Sequence, residues 1–234
     1  MRQHFIAAVA GEAAMMALSA RGGGPARVFA AFERSCYIET AAGIACLGGR
    51  DIGCGPLNVI VEGAFRIPAD SFEVDTRRAG IWKPSPANLK PRALPSLATP
   101  AVLRDAGKAF DLWLRNGAER SPDELIGLGP GLTPAGDDFV GGALIALRAA
   151  GNDALADRVS AWALELAEER TSRISRAHLR CAAAGEGHEA LHDFLVTFGK
   201  ESLARLARLG HTSGLDAAAG ALLALNMDWH AHVQ

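Results

Sequence analysis

The sequence predicts an α+β fold in which a small antiparallel β module precedes an α-helical domain. Three observations carry that expectation. Between about Ala26 and Asp75, short runs rich in Val, Ile, Phe and Cys alternate with Gly, Asp, Asn and Pro, the pattern of short strands joined by turns. From Ala101 onward, apolar residues recur at three- and four-residue spacing behind capping residues, the pattern of packed helices. Between the two regions, residues 81–100 hold five prolines, which forbid a continuous helix or sheet. The expected organisation is therefore 1–80 (an N-terminal helix plus the β module), 81–100 (a proline-rich connector) and 101–234 (the helical domain).

Taken in order, "HFIAAVAGEAAMMALSA" reads as a helix packing on the body, with Met15 and Met16 in the core. It carries Glu12 and is too short to span a bilayer. The segments "RVFAAFERSCYIET", "GIACLGG" and "PLNVIVEG" read as the strands, with Arg34 and Asn58 as polar residues near strand ends, open to a structural or a binding role. Along the connector, Ile81, Trp82, Leu89 and Leu94 call for cover, while Lys83 and Lys90 face solvent. "VLRDAGKAFDLWLRNG" places Val102, Leu103, Ala106, Phe110 and Leu114 on one helical face and ends at Gly117. Ser121 then caps "SPDEL", with Pro122 in the first helical position. Further helices are expected near 153–170, 172–184, 187–198, 200–209 and 213–226.

Composition narrows the function classes. Lys plus Arg is 24 and Asp plus Glu is 26, a net charge of −2 over 234 residues. A near-neutral chain with few aromatics has no footprint for nucleic acid. Four cysteines (Cys36, Cys46, Cys54 and Cys181) match no zinc-binding spacing. With no leader-like segment ahead of them, they predict reduced thiols in a cytoplasmic protein that does not enter a membrane.

The chemistry concentrates in "IGLGPGLTPAGDDFVGGALIAL", Ile126 to Leu147. It is neither a Walker A loop, lacking Gly-Lys-Ser/Thr, nor a dinucleotide fingerprint, since Leu132 stands where a third glycine belongs. Instead, Thr133 reads as an N-cap and Pro134 as the first helical residue. The amides of such a helix start attract anions. Asp137 lies one turn after Thr133 on the same face, and Gly141 one turn further, where a neighbouring backbone can approach. Asp138 is rotated about 100° away, off the apolar stripe. The pattern returns: Thr133, Asp137 and Gly141 are echoed by Thr212, Asp216 and Gly220, each set preceded by glycine. The helix after Asp216 is apolar all round, so it is central and its carboxylate needs a partner. A first-turn aspartate also stabilises a helix dipole with no further role. The repeated offsets nevertheless predict two corresponding helix starts converging on one pocket.

Two other motifs were weighed. "HEALH", His188 to His192, has the histidine spacing of a zinc helix. It stands at a helix start beside Gly185 and Gly187 with no third ligand, so no metal site is assigned. In "TSRISRAHL", Thr171 or Ser172 caps the next helix, and Arg173 and Arg176 face either solvent or an anion. Cys181 has no base at motif spacing and reads as buried.

Three segments, "GLGPGLTPAGDDFVGG", "RTSRISRAHLRCAAAGEG" and "LGHTSGLDAAAGALLAL", together with "FAAFERSCYIET" and "GPLNVIVEG", resemble the oxamate carbamoyltransferase subunit family (AllH-like). Ala135 departs from it, standing where the family's motif has serine. The resemblance implies a subunit of a transferase in allantoin (purine) catabolism that converts oxalurate and phosphate into oxamate and carbamoyl phosphate, alongside other carbamoyltransferase subunits. Such a reaction needs two anions held and an oxyanion stabilised. Asp137, Asp216 and His211 are then the candidate catalytic residues. Gly129, Gly131, Thr133, Gly136, Asp138, Thr171, Ser175, Thr212, Ser213 and Gly214 are the candidates for holding a small anionic substrate. The aspartates repel a bare anion, so they must orient donors, carry a proton, or hold a divalent cation such as Mg²⁺. The alternative is a non-catalytic scaffold or regulatory subunit that binds a small anion or a partner protein, with Gly141, Gly142 and Gly220 shaping a rigid interface.

Overall fold

The computed structural model describes residues 3–19, 26–68, 72–85, 89, 94–116 and 121–231. Gly117 and Lys90, for which expectations are stated above, lie outside these. The chain divides into two compact units, Met1–Pro84 and Ser85–Gln234.

The first unit is a seven-stranded sheet: β1 (Gln3–Gly11), β2 (Arg27–Ala31), β3 (Ser35–Thr40), β4 (Gly43–Gly48), β5 (Asn58–Val61), β6 (Phe72–Asp75) and β7 (Gly80–Trp82). The spatial order is β2-β3-β4-β5-β1-β6, with β7 also on β1. The sheet is mixed rather than antiparallel. Tight turns make β2, β3 and β4 antiparallel neighbours. The longer passage through residues 49–57 instead lays β5 parallel to β4. Both β6 and β7 also run parallel to β1, the first along Gln3–Ile6 and the second along Val9–Gly11.

The N-terminal expectation is corrected here. Residues Gln3–Gly11 form β1, paired with β5, β6 and β7, and only Glu12–Ser19 form a helix, α1. The switch falls at Gly11, where a Cβ would stand 2.2 Å from the Gly55 carbonyl oxygen. One residue triplet later, the Ala14 amide donates to the Pro56 carbonyl at 2.9 Å and locks the start of α1 to that loop. Ala14 and Ala17 face the sheet, Met15 packs at its margin, and Met16 points outward, 70% exposed. Likewise Ile81 and Trp82 belong to β7 rather than to the connector, and Ile81 gains no cover. Asn58 is structural: its side-chain amide donates to the Gly53 carbonyl at 2.9 Å, bracing the turn ahead of β5.

The second unit is helical: α2 (Arg104–Asn116), α3 (Ala135–Ala149), α4 (Asp153–Arg170), α5 (Arg173–Ala183), α6 (Glu189–Thr197), α7 (Lys200–Leu206) and α8 (Ser213–Ala231). Its core forms around α3, whose Phe139, Val140, Ala143, Leu144 and Leu147 are wholly buried, as the apolar stripe requires. On α2, Trp113 joins Phe110 and Leu114 inside, while Val102, expected on the same face, lies in a 3-10 turn ahead of the helix (Ala101–Leu103) and is 48% exposed. Phe110 meets Phe139 edge to face at 5.8 Å, and Trp113 lies 5.0 Å from Trp162. "SPDEL" makes only a single 3-10 turn, Asp123–Leu125, with Pro122 in the capping place. Ser121 donates to the Asp123 carboxylate at 2.6 Å, and the Trp162 indole donates to the same oxygen. No described helix is long and apolar enough to cross a membrane.

Candidate functional site

The glycine loop is pinned from both sides. Gly127 has φ 81°, and a Cβ there would fall 2.2 Å from the Arg170 carbonyl oxygen at the end of α4. The Gly136 amide donates to the Leu128 carbonyl at 2.9 Å, folding the loop back on the start of α3. Gly129 and Gly131 also adopt positive φ. Among the described residues, the amides of Gly129, Gly131, Leu132 and Thr133 donate to no protein oxygen.

Helix α3 begins at Ala135 with Pro134 in the capping place and no side-chain cap. Thr133, expected as that cap, turns its hydroxyl elsewhere, 3.1 Å from the Ser213 hydroxyl at the start of α8. The two glycine-preceded helix starts therefore do meet. What lets them meet is glycine further along each helix. A Cβ at Gly142 would stand 1.9 Å from the Ala217 carbonyl oxygen, and one at Gly220 would stand 1.8 Å from that of Phe139. Backbone rests on backbone with no side chain between. Gly141, the expected contact, is not the one used: a Cβ there would meet Ala182 at an ordinary 3.7 Å.

The aspartates divide into two environments. Asp137 is buried and fully engaged. One carboxylate oxygen accepts from the Gly127 amide at 2.7 Å, and the other accepts from the hydroxyls of Ser175, at 2.6 Å, and Thr171. Ser172 donates to the Leu132 carbonyl and caps α5 by accepting from the Ser175 amide at 3.0 Å. Asp137, Thr171, Ser172 and Ser175 thus form a clasp joining the loop, α3 and α5.

Asp138 and Asp216 are the opposite case. Asp216 is completely buried, and among the described residues neither of its carboxylate oxygens has a hydrogen-bond partner. One oxygen of Asp138 is likewise buried and unpartnered. Burial pushes the Asp138 carboxyl up to about 7; the Ser213 hydroxyl works against this, and the charges of Asp216 and Asp137 add to it. Burial also raises Asp216, with the Thr212 hydroxyl opposing. Burial raises both carboxyls and the charge of Asp216 adds to the rise at Asp138, so each favours keeping a proton although the Ser213 and Thr133 hydroxyls oppose this at Asp138.

The remaining candidates are placed as follows. His211 and Thr212 are exposed beside the start of α8. Gly214 is a packing residue: a Cβ there would lie 1.8 Å from the Leu206 carbonyl oxygen, and its amide donates to Leu209. In "HEALH", His188 Nδ1 accepts from the Ala190 amide as the cap of α6, and His192 Nε2 accepts from the Gly187 amide, both at 3.1 Å. Among the described residues, no three His, Cys, Asp or Glu side chains are grouped to hold a metal ion. Arg176 pairs with Glu168 at 2.5 Å rather than reaching the helix starts. Sequence reasoning ranked Asp138 below Asp137 because it sits off the α3 stripe. The signal it lacked was the position of α8, which covers that side.

Fold and site together define a protein of two units, α+β in class, whose helical unit joins two glycine-preceded helix starts around a donor-poor pair of carboxyls. Residues 125–225 match the family model described as oxamate carbamoyltransferase subunit AllH, so the AllH-like resemblance stands over the segment that holds both helix starts. No curated protein and no solved structure matches the chain.

Proposed function

We propose that this chain is a subunit of a carbamoyltransferase-type enzyme and takes a small anionic substrate at the joined starts of α3 and α8. The observation that supports this most is the meeting of the two starts through Thr133 and Ser213 above a buried, unpartnered Asp216. The family description supplies the reaction class. In the reaction, a phosphate oxygen attacks the carbamoyl carbon of oxalurate, and the carbon–nitrogen bond to the oxamate nitrogen breaks. The proton lost from phosphate returns on that nitrogen, leaving oxamate and carbamoyl phosphate.

In this reading the amides of Gly129, Gly131, Leu132 and Thr133 hold the anion. Asp138, protonated near neutral pH, donates to a substrate oxygen, and Asp216 receives and returns the proton. A protonated acid removes the repulsion that three carboxylates would otherwise impose on an anion. Asp137, Thr171 and Ser175 position the loop rather than touch substrate. Gly142 and Gly220 are occupied inside the chain, which weakens the scaffold alternative in the form that needs them for a partner's helix.

The test is an assay of oxamate formation from oxalurate and phosphate, with the purified chain alone and with its candidate partner subunits. Asp216→Asn and Asp138→Asn are expected to fold and assemble but lose at least tenfold in rate, the lower part of the range for a lost proton-transfer group. Full activity in both variants would remove the reading. Loss of assembly with the partners would favour the scaffold.

A further inference from the structure

The β unit carries a second feature that the helix starts do not involve. An open cavity of about 740 Å³ lies where three turns of the sheet come together. Each turn contributes one arginine: Arg34 between β2 and β3, Arg50 after β4, and Arg66 after β5. Its acidic lining residues are Glu33 and Asp51. Asp51 engages Arg34 only loosely, at 3.7 Å with both side chains about half exposed. Neither Arg50 nor Arg66 has an ion-pair partner among the described residues. The lining thus carries three guanidiniums against two carboxylates, an excess of positive charge.

Phe65, which lines the cavity, packs its ring 5.8 Å from that of Phe5 in the sheet core. Gly49 keeps one side open, since a Cβ there would press to 3.0 Å on the Asp51 carboxylate. The volume is that of a small-molecule pocket, typically ~300–1,000 Å³. Guanidinium is the side chain suited to gripping planar carboxylate or phosphate oxygens two at a time.

We propose that this groove is a binding site for a small molecule carrying two negative charges, held by Arg50 and Arg66 with Arg34 and Asp51 framing its edge. The site is separate from the helix starts and does not depend on the reaction proposed for them.

The experiment is calorimetric titration of the full chain with oxalate and, separately, with inorganic phosphate, at fixed ionic strength set by chloride. The variants are Arg50→Ala/Arg66→Ala, whose exposed side chains make no ion pair among the described residues, and Lys108→Ala, an exposed residue of α2, as the control. Saturable binding of either dianion, weakened at least tenfold in the arginine double variant and unchanged in Lys108→Ala, supports the proposal. Preference between the two probes distinguishes a dicarboxylate from a phosphate ligand. No saturable binding by the wild type overturns it. So does equal binding by the double variant, or binding that added chloride abolishes as readily as it abolishes the heat with free arginine.

Discussion

Replacing Gly220 with alanine tests the crossing of α3 and α8 directly. The new Cβ would stand 1.8 Å from the Phe139 carbonyl oxygen, with the carbonyl carbon and Cα at 2.7 and 3.0 Å. To reach ordinary contact the helices must part by roughly 1.5 Å, a strain absorbed by backbone on both sides. Overpacking of this kind costs about 3 kcal/mol, and alanine's better helix propensity returns about 1 kcal/mol. The net loss of about 2 kcal/mol lowers the melting temperature by roughly 4–8 °C for a chain of this size. Gly142→Ala meets the Ala217 carbonyl oxygen at 1.9 Å and is expected to behave alike. Gly141→Ala, one residue away, meets only Ala182 at 3.7 Å, so it keeps the propensity gain and raises the melting temperature by a few degrees. Thermal melts of the three variants by far-ultraviolet circular dichroism decide the matter. If Gly141→Ala is the damaging change, or if all three melt together, the proposed backbone contact is wrong.

Three further outcomes are expected. Asp137→Ala strands the Gly127 amide and two hydroxyls without their acceptor and should cost about 3–5 kcal/mol in urea unfolding, against about 1–2 kcal/mol for Ser175→Ala. Asp138 titrates near 7 in the folded chain against 3.8 when unperturbed, so the native state holds its proton more tightly than the unfolded chain. Its contribution to stability is therefore greatest below about pH 4 and declines as pH rises towards 7, by at most about 4 kcal/mol. Asp138→Asn should flatten that decline when unfolding free energies at pH 5 and 8 are compared with wild type. Burial pushes the thiols of Cys36, Cys46 and Cys181 up to about 11, 12 and 12, so iodoacetamide at pH 8 should label the less buried Cys54 well before the others, as mass spectrometry of a time course would show.

The helical unit was legible because its signals are local. Capping residues, glycine stops and three-to-four spacing lie within a turn or two of what they specify, and α4 to α8 fall where those signals place them. The β unit was legible as strands but not as a sheet. Whether β5 runs with or against β4 depends on how residues 49–57 travel, which no strand's own residues record. Residues Gln3–Gly11 were misread because a short apolar run that continues into an alanine-rich helix has no period of its own to separate strand from helix. At the site, the convergence of Thr133 with the start of α8 could be read from the repeated spacing. The difference in surroundings between Asp137 and Asp138 could not. It depends on Thr171 and Ser175 reaching across from α5 to claim one carboxylate, while α8 closes over the side where the other lies.

The bare crossing of α3 and α8 has a mechanical consequence. Ordinary helix pairs are separated by a layer of side chains that can change rotamer and absorb a displacement. At Gly142 and Gly220 backbone touches backbone without that cushion, so a shift of one helix there presses directly on the other. A ligand seated at Thr133, as proposed above, would move the two helix starts together.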